Sequence, residues 1–423
     1  MQCVHVRLEP VQPLLLGGGL PSEQERATRQ YVAGSVWRGA VARGLLRPRG
    51  LWPSQRDTSG MGLPEDLREL FLGPEAARFG YLYPLVAEAG PIQPRDAFPL
   101  PLTARTCKAV PGFPSEGGHG IVDVLGAELR RFVAGERGGV RCPHRDCHEP
   151  LQRYRKIAAY TDAEDRLSYR TVGLPLRTHV RVGLNRALET AEEGVLYSFT
   201  TVQPRAGARA VSFVGTLRIH GTQLQTLRQE MDRHLRKEGG CYSVRLGSAR
   251  ARGHGLARLC LDPSQTAALP PLEQRLDDFQ EKLLAGRADD GLLYFAITLR
   301  SPLLLLDRQG QPLQGLEEGV LLDYLGPEAQ EVEVLQEVST LEWTLVQGWN
   351  AAWLLPKPVV KVLAPGSVLV FRAPRQARNR VIAALERAEA RGLGERLEEG
   401  MGEVVACHPF HVVFDLSDAG GGG

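Results

Sequence analysis

Gly247 to Leu261 reads GSARARGHGLARLCL, and Gly392 to His411 reads GLGERLEEGMGEVVACHPFH. In both, a loop of glycines and arginine feeds an apolar strand, and an amphipathic helix precedes it. Before the first loop, Leu224, Leu227, Met231 and Leu235 fall at helical spacing over Thr222 to Lys237. Before the second, Val381, Ile382 and Leu385 do the same over Arg375 to Arg391. Gly392 suits the left-handed residue that follows a helix. Further upstream each copy opens with an apolar strand that runs into Pro-Leu-Leu: Val4 to Leu8 reaching Pro13–Leu16, and Leu293 to Leu299 reaching Pro302–Leu306. Strand, helix, glycine loop and strand, used twice, predict an α+β chain of two split-βαβ, ferredoxin-like modules, each with one sheet face left open.

The first copy spends far more chain between its marks (Pro13 to Gly247) than the second (Pro302 to Gly392), so it carries a large insertion, about residues 48–205. Its early helix, in YVAGSVWRGAVARGLL, has Ser35 as the expected N-cap. Val36, Ala40, Val41 and Leu45 lie on the buried side, leaving Arg38 and Arg43 toward its edge or the solvent side. A strand is expected over Ala210 to His220. Ser264 to Pro271 breaks the chain, and a linking helix over Glu273 to Leu284 is carried by Leu276, Phe279 and Leu283. The expected division is a first module over 1–263, a linker helix over 264–285, a second module over 286–416 and a frayed tail over 417–423.

At 423 residues the chain can bury more than one core. No apolar run approaches a membrane span and the first residues form a strand rather than a secretory signal, so a cytoplasmic, soluble protein is expected. Seven cysteines, an odd number, argue against a disulfide framework. The net charge is only +2, yet six lysines stand against 45 arginines. Arginine forks onto phosphate and stacks on bases, although a GC-rich genome produces the same bias, so only placement discriminates.

Within the insertion, Cys142-Pro-His-Arg-Asp-Cys147 lies downstream of Cys107 and His119. Thiolate and imidazole suit a closed, structural zinc site, with Cys107, His119, Cys142 and Cys147 as ligands and His144 or His148 as substitutes. A segment of glycines, prolines and charges gains from such an ion the folding energy that its sparse apolar residues cannot supply. The loop from Gly247 to Gly255 offers Arg250, Arg252 and His254 among glycines, which let backbone N–H groups approach a phosphate. It is not a dinucleotide fingerprint, because a helix precedes it and a strand follows. The second loop carries Glu395, Glu398, Glu399 and Glu403 against Arg396 alone, so direct phosphate binding there is doubtful and packing against a neighbouring subunit is at least as strong an expectation. No catalytic set stands out. His5, His179 and His220 sit in expected strands, as do His408 and His411; Trp349 and Trp353 could stack on a base or flank a subunit contact, with core packing as the default.

With these residues in view, the chain resembles RAMP-superfamily proteins of type III CRISPR–Cas effector complexes, most closely the large two-module RAMP subunit of the D subtype. The likeness lies in YVAGSVWRGA, the Cys107-Lys108 segment with HGIVD, the CPHRDC knuckle, SARARGHG, GERLEEGMGEV and the terminal HPFH. The resemblance implies tandem RRM-like modules and a structural subunit for antiviral defence. Such a subunit holds the crRNA, at its 5′ tag, and contacts target RNA, other RAMP subunits and the large polymerase-like subunit. The RNA-contacting residues it implies are Arg38, Arg43, Lys108, Arg250, Arg252, His254 and Arg396. The chain departs from the family at Glu403, where relatives often carry a basic residue. The alternative reading is a RAMP endoribonuclease that cuts precursor crRNA or target RNA, with Asp57 or Asp307 and His5 or His254 as candidate catalytic groups.

Overall fold

The structure, a computed structural model, describes residues 1–17, 25–52, 63–87, 96–136, 140–144, 146–163, 166–185, 190–262, 269–284, 290–350 and 355–416. Asp57, Trp353 and the tail from 417 lie outside these residues.

The first half contains β1 (Gln2–Pro10), α1 (Gly34–Leu46), β2 (Tyr83–Val86), β3 (Arg209–Ile219), α2 (Gly221–His234), β4 (Cys241–Arg245) and β5 (Leu256–Asp262). These strands lie in the spatial order β2-β3-β1-β5-β4, every neighbour antiparallel. The second half contains α3 (Leu272–Leu283), β6 (Leu292–Leu299), α4 (Glu318–Leu325), β7 (Glu333–Val334), β8 (Val368–Pro374), α5 (Arg378–Arg391), β9 (Val404–Ala406) and α6 (Pro409–Val413). Its sheet runs β7-β8-β6-β9, again antiparallel. Strand for strand this is the order of the first half, with β4 as that half's extra member.

Alternation builds the first core. Val4, Val6 and Leu8 point inward from β1, where Trp37, Val41 and Leu45 of α1 and Leu227 and Met231 of α2 meet them. Each such side chain contributes roughly 1.5–3 kcal/mol by leaving water. Trp37 also donates its indole N–H to the carbonyl of Gly80, 2.8 Å away. The helix starts at Gly34 with Ala33 at its cap position, so Ser35 is a first-turn residue and not the cap.

The second sheet departs from the open-face expectation. Every residue of β6 from Leu293 to Leu299 is buried, so both faces are covered. Leu276, Phe279 and Leu283 of α3, together with Leu125 and Leu129 of the insertion helix Leu125–Ala134, share one core with β6 and α5. The first sheet keeps part of its face in water, where Arg258 and Arg7 pair with Glu9.

Two further differences are local. Cys241 and Cys260 stand directly opposite in the β4–β5 pair and form a disulfide, which an odd cysteine count cannot reveal. The terminal HPFH is helical: α6 starts at Pro409, and the His408 side chain accepts the N–H of Phe410. His411 is thus on a helix, fully buried between Thr298 and Asp123. Among the described residues no helix is long and apolar enough to cross a membrane.

Candidate functional site

The two glycine loops are one backbone shape built twice. In the first, the N–H of Gly255 donates to the carbonyl of Pro13 (3.0 Å), that of Ser248 to Leu15 (2.9 Å) and that of Leu246 to Gly255 (2.9 Å). In the second, Gly402 donates to Pro302 (2.8 Å), Glu395 to Leu304 (2.9 Å) and Leu393 to Gly402 (2.9 Å). Ala249 and Arg396 take left-handed φ angles of 56° and 55°. Each opens a single 3₁₀ turn, Arg250–Arg252 or Leu397–Glu399, closed by a left-handed glycine, Gly253 or Gly400. The true register therefore pairs Gly247 with Gly394 and not with Gly392. Both sit where backbone crosses backbone: a Cβ there would lie 2.4 Å from the Leu15 carbonyl oxygen or 2.3 Å from that of Leu304.

The turn residues diverge completely: Arg250, Arg252 and His254 correspond to Leu397, Glu399 and Met401. Arg252 is exposed and donates to the Tyr197 hydroxyl (2.9 Å). Arg250 is half-buried, and burial followed by the charges of Arg43 and Arg47 pushes its pKa below the usual arginine range. The first loop and the end of α1 thus form one arginine-rich face, and mutual repulsion of this kind is relieved by an anion. His254 is buried and donates Nδ1–H to the Arg252 carbonyl (2.9 Å). That bond shapes the turn, and the imidazole does not reach the surface the arginines occupy.

The second loop turns inward, onto the first half of its own chain. A Cβ on Gly34 would stand 1.7 Å from the Phe79 carbonyl oxygen and 2.3 Å from that of Glu399, and one on Gly400 would stand 2.2 Å from Phe79. Lys357 pairs with Glu399 beside this contact. The sequence suggests a neighbouring subunit as the surface this loop packs on; the structure instead seats it on Phe79 and Gly34 of its own chain. Glu403 has its explanation here. Its buried carboxylate accepts from Thr216 (3.2 Å) and Arg218 (3.4 Å) of β3, with Arg300 of the second half 3.8 Å away. Arg300 is in turn held in a two-pronged pair with Asp96 of the insertion, at 2.9 and 3.2 Å. A basic side chain at 403 would face two arginines.

Arg38 and Arg396 line one cleft of about 390 Å³ between the halves, with Arg78, Phe71, Glu395 and Glu398. Arg38 donates to the Phe71 carbonyl and lies 6.0 Å over that ring. Its Nε, and one terminal nitrogen of Arg78, are buried without a partner among the described residues. Burial lowers the pKa of both. Arg78 was not singled out from the sequence, where an arginine in AARFG carries no local signal. Lys108 is exposed on the bend after Cys107, beside the Cys/His cluster.

The four proposed ligands converge. Donor atoms of Cys107, His119, Cys142 and Cys147 all lie within 4.8 Å of one another. The Cys107 and Cys147 sulfurs are 3.6 Å apart, and the Cys142 sulfur is 3.7 Å from His119 Nδ1. Backbone N–H groups of Val110 and Ala109 favour the Cys107 thiolate, whereas burial raises Cys142 to about 11. His144 stacks flat on His119 at 4.2 Å and His148 is exposed; neither belongs to the set of converging donors. Such a set can hold a four-coordinate metal ion.

Of the candidate catalytic groups, Asp57 lies outside the described residues, and no catalytic pairing of the others is found among the described residues. Asp307 accepts the N–H groups of Gln309 and Gln311 and forms a turn. His5 is buried on β1, and burial lowers its pKa. Asp123, His411, Thr298 and Thr103 form a chain of hydrogen bonds, but all are sealed from solvent and fasten the insertion to the second half. Trp349, expected in the core, is 59% exposed.

No family model matches the sequence, and no curated protein matches it. Among solved structures, the chain is similar to one in the type III-B Cmr-beta complex bound to cognate target RNA, at 12% identity and a TM-score of 0.40, covering 86% of each chain. A second state of that complex, with target RNA and AMPPnP, gives 13% identity and a TM-score of 0.40, over 89% of this chain and 88% of that one. A Cas6 product complex is similar over 48% of this chain and 79% of that one, at 16% identity and a TM-score of 0.29.

Proposed function

We propose that the chain is a non-catalytic, crRNA-holding subunit of a type III CRISPR–Cas effector complex. It is built from two ferredoxin-like (RRM-like) RAMP modules, the first enlarged by a zinc-stabilised insertion. The observation that carries this reading is the divergence of the two loops. One backbone shape has become a module-to-module contact in the second half. In the first half it is left on the surface with Arg250 and Arg252 beside Arg43 and Arg47. A cluster of arginines on glycine-framed backbone is what a single-stranded phosphodiester requires: charge for the phosphates and N–H groups within reach of them. The sequence resemblance supplies the class of polyanion, the guide RNA at its 5′ tag. It also supplies the neighbours: target RNA, other RAMP subunits and the large polymerase-like subunit, in the cytoplasm. Zinc suits the three thiolates and one imidazole.

Salt dependence of RNA binding tests the reading. Each phosphate contact to a single strand contributes about −0.7 to the slope of log affinity against log salt. Replacing both Arg250 and Arg252 with alanine should weaken binding and flatten that slope by about 1.4. An unchanged slope would remove the first loop from the interface and with it the reason for this proposal.

A further inference from the structure

The first loop does not stand alone. A long hairpin of the insertion, Leu176–Asn185 paired with Thr190–Val202, comes up against it. In its register Arg177 faces Thr201, His179 faces Phe199 and Arg181 faces Tyr197. Alternation places these six side chains on one side of the ribbon, the side that meets Arg252 and His254. The other side bears Val180, Val182 and Leu196, which are 63%, 48% and 60% exposed. That face of the ribbon is therefore open to solvent, whereas Phe199 on the inner side is 4% exposed.

On the inner side the rings form a ladder. His179 stacks on Phe199 (4.9 Å, 15°), Tyr197 follows along the same side (6.4 Å from Phe199, 23°), and His254 meets both His179 and Phe199 edge-on at 5.7 Å. Hydrogen bonds fix the rings. His179 Nε2 lies 3.0 Å from Thr201 Oγ1, which itself donates to the Arg177 carbonyl and accepts from Gln203; the imidazole is therefore the donor in that contact. Arg252 holds the Tyr197 hydroxyl. With Nδ1–H of His254 committed to the Arg252 carbonyl, its Nε2 is a buried acceptor with no partner among the described residues. Arg177, Arg181 and Arg252 are exposed around the ladder.

Rigidly held rings with guanidinium groups at their margin are the physical make-up of a single-strand stacking site: rings take the bases, arginines take the phosphates, and neither needs a particular sequence. We propose that the Tyr197–Phe199–His179 ladder is a base-stacking platform for the RNA strand, with a base seated on the half-buried Tyr197 ring and adjoining phosphates on Arg177, Arg181 and Arg252. The platform rests on the RNA-holding reading above and gives it a location beyond the glycine loop. Sequence inspection places His179 in a strand without a role and passes over Tyr197 and Phe199. The signal available was the alternation of Tyr197, Phe199 and Thr201, which also suits any half-buried strand.

The test uses the full chain and single-stranded RNA oligonucleotides carrying 2-aminopurine at successive positions. At one position the parent protein should quench the fluorescence by stacking. Tyr197→Ala should abolish that quenching and weaken binding roughly ten-fold, leaving the salt slope unchanged because no phosphate contact is lost. Tyr197→Phe, which keeps the ring and loses only the Arg252 bond, should retain the quenching and reports that the hairpin is folded. Quenching and affinity that are indifferent to Tyr197→Ala, in a chain whose binding still depends on Arg250 and Arg252, would overturn the platform and leave the wider reading standing. A parent chain that binds no single-stranded RNA would overturn both.

Discussion

Removing one ligand from the Cys/His cluster should unfold the insertion locally. Zinc–sulfur bonds of about 2.3 Å and zinc–nitrogen bonds of about 2.0–2.1 Å, at tetrahedral angles, place two sulfurs about 3.8 Å apart and a sulfur and nitrogen about 3.5 Å apart. The corresponding separations here are 3.6 Å for Cys107–Cys147 and 3.7 Å for Cys142–His119. The cluster ties the strand Ala104–Cys107 to the turn that holds Cys142 and Cys147, over segments otherwise joined by short strands such as Leu151–Arg153. A structural zinc supplies on the order of 10 kcal/mol or more, comparable with the whole stability of a domain. His119→Ala or Cys142→Ser should therefore release the metal and open this region, while His144→Ala, which removes only a stacked ring, should retain it. The assay is metal content of the purified chain by mass spectrometry, with hydrogen exchange over residues 104–153 before and after a strong chelator. About one zinc per chain and chelator-dependent exchange are expected. A metal-free chain with the same protection as one treated with zinc would refute the reasoning.

Gly34→Ala places a Cβ 1.7 Å from one carbonyl oxygen and 2.3 Å from another. Overpacking against backbone should cost about 1–3 kcal/mol or more, lowering the melting temperature, whereas Gly39→Ala, with open space around it, should not. Glu403→Ala leaves Arg218 and Arg300 facing each other in a buried seam and should cost about 3–5 kcal/mol in denaturant unfolding; a loss below 1 kcal/mol would show that the cluster does not join the halves. Burial holds the His408 imidazole well below the ordinary histidine value of 6.5. The unfolded chain therefore takes up a proton that the folded one refuses, and stability should fall as pH drops below about 6.5. His408→Asn, which keeps an acceptor for the Phe410 N–H but does not titrate, should lessen the fall in melting temperature between pH 7 and pH 5.5, leaving the part that comes from His5, whose pKa burial also lowers. An unaltered pH profile would refute that assignment.

The repeat was legible because its marks are local. Pro-Leu-Leu, the amphipathic helices and the glycines at 253, 255, 400 and 402 are each demanded by backbone geometry within a few residues. The linking helix, expected over Glu273 to Leu284 and found over Leu272–Leu283, was legible for the same reason, as was the convergence of Cys107, His119, Cys142 and Cys147. What escaped reading depends on distant chain. Glu403 is intelligible only beside Arg218 and Arg300, which β3 and the strand exit after β6 deliver. The covering of the second sheet depends on Leu125 and Leu129, far upstream of it. Cys241 and Cys260 are paired by the β4–β5 register, which a count of thiols does not contain. The HPFH segment has the apolar residues of a strand, but Pro409 at a helix start and the His408 cap decide it.

The inward-turned loop has a consequence for anything laid along the surface. Gly34 and Gly400 bring backbone onto backbone with no side chain between them, and Glu403 bolts the same seam with charge. The two halves therefore cannot swivel without parting main chain from main chain. On the function proposed above, a strand held near Arg250 would lie on a frame whose halves keep one spacing, and a neighbour contacting that strand further along would inherit the spacing.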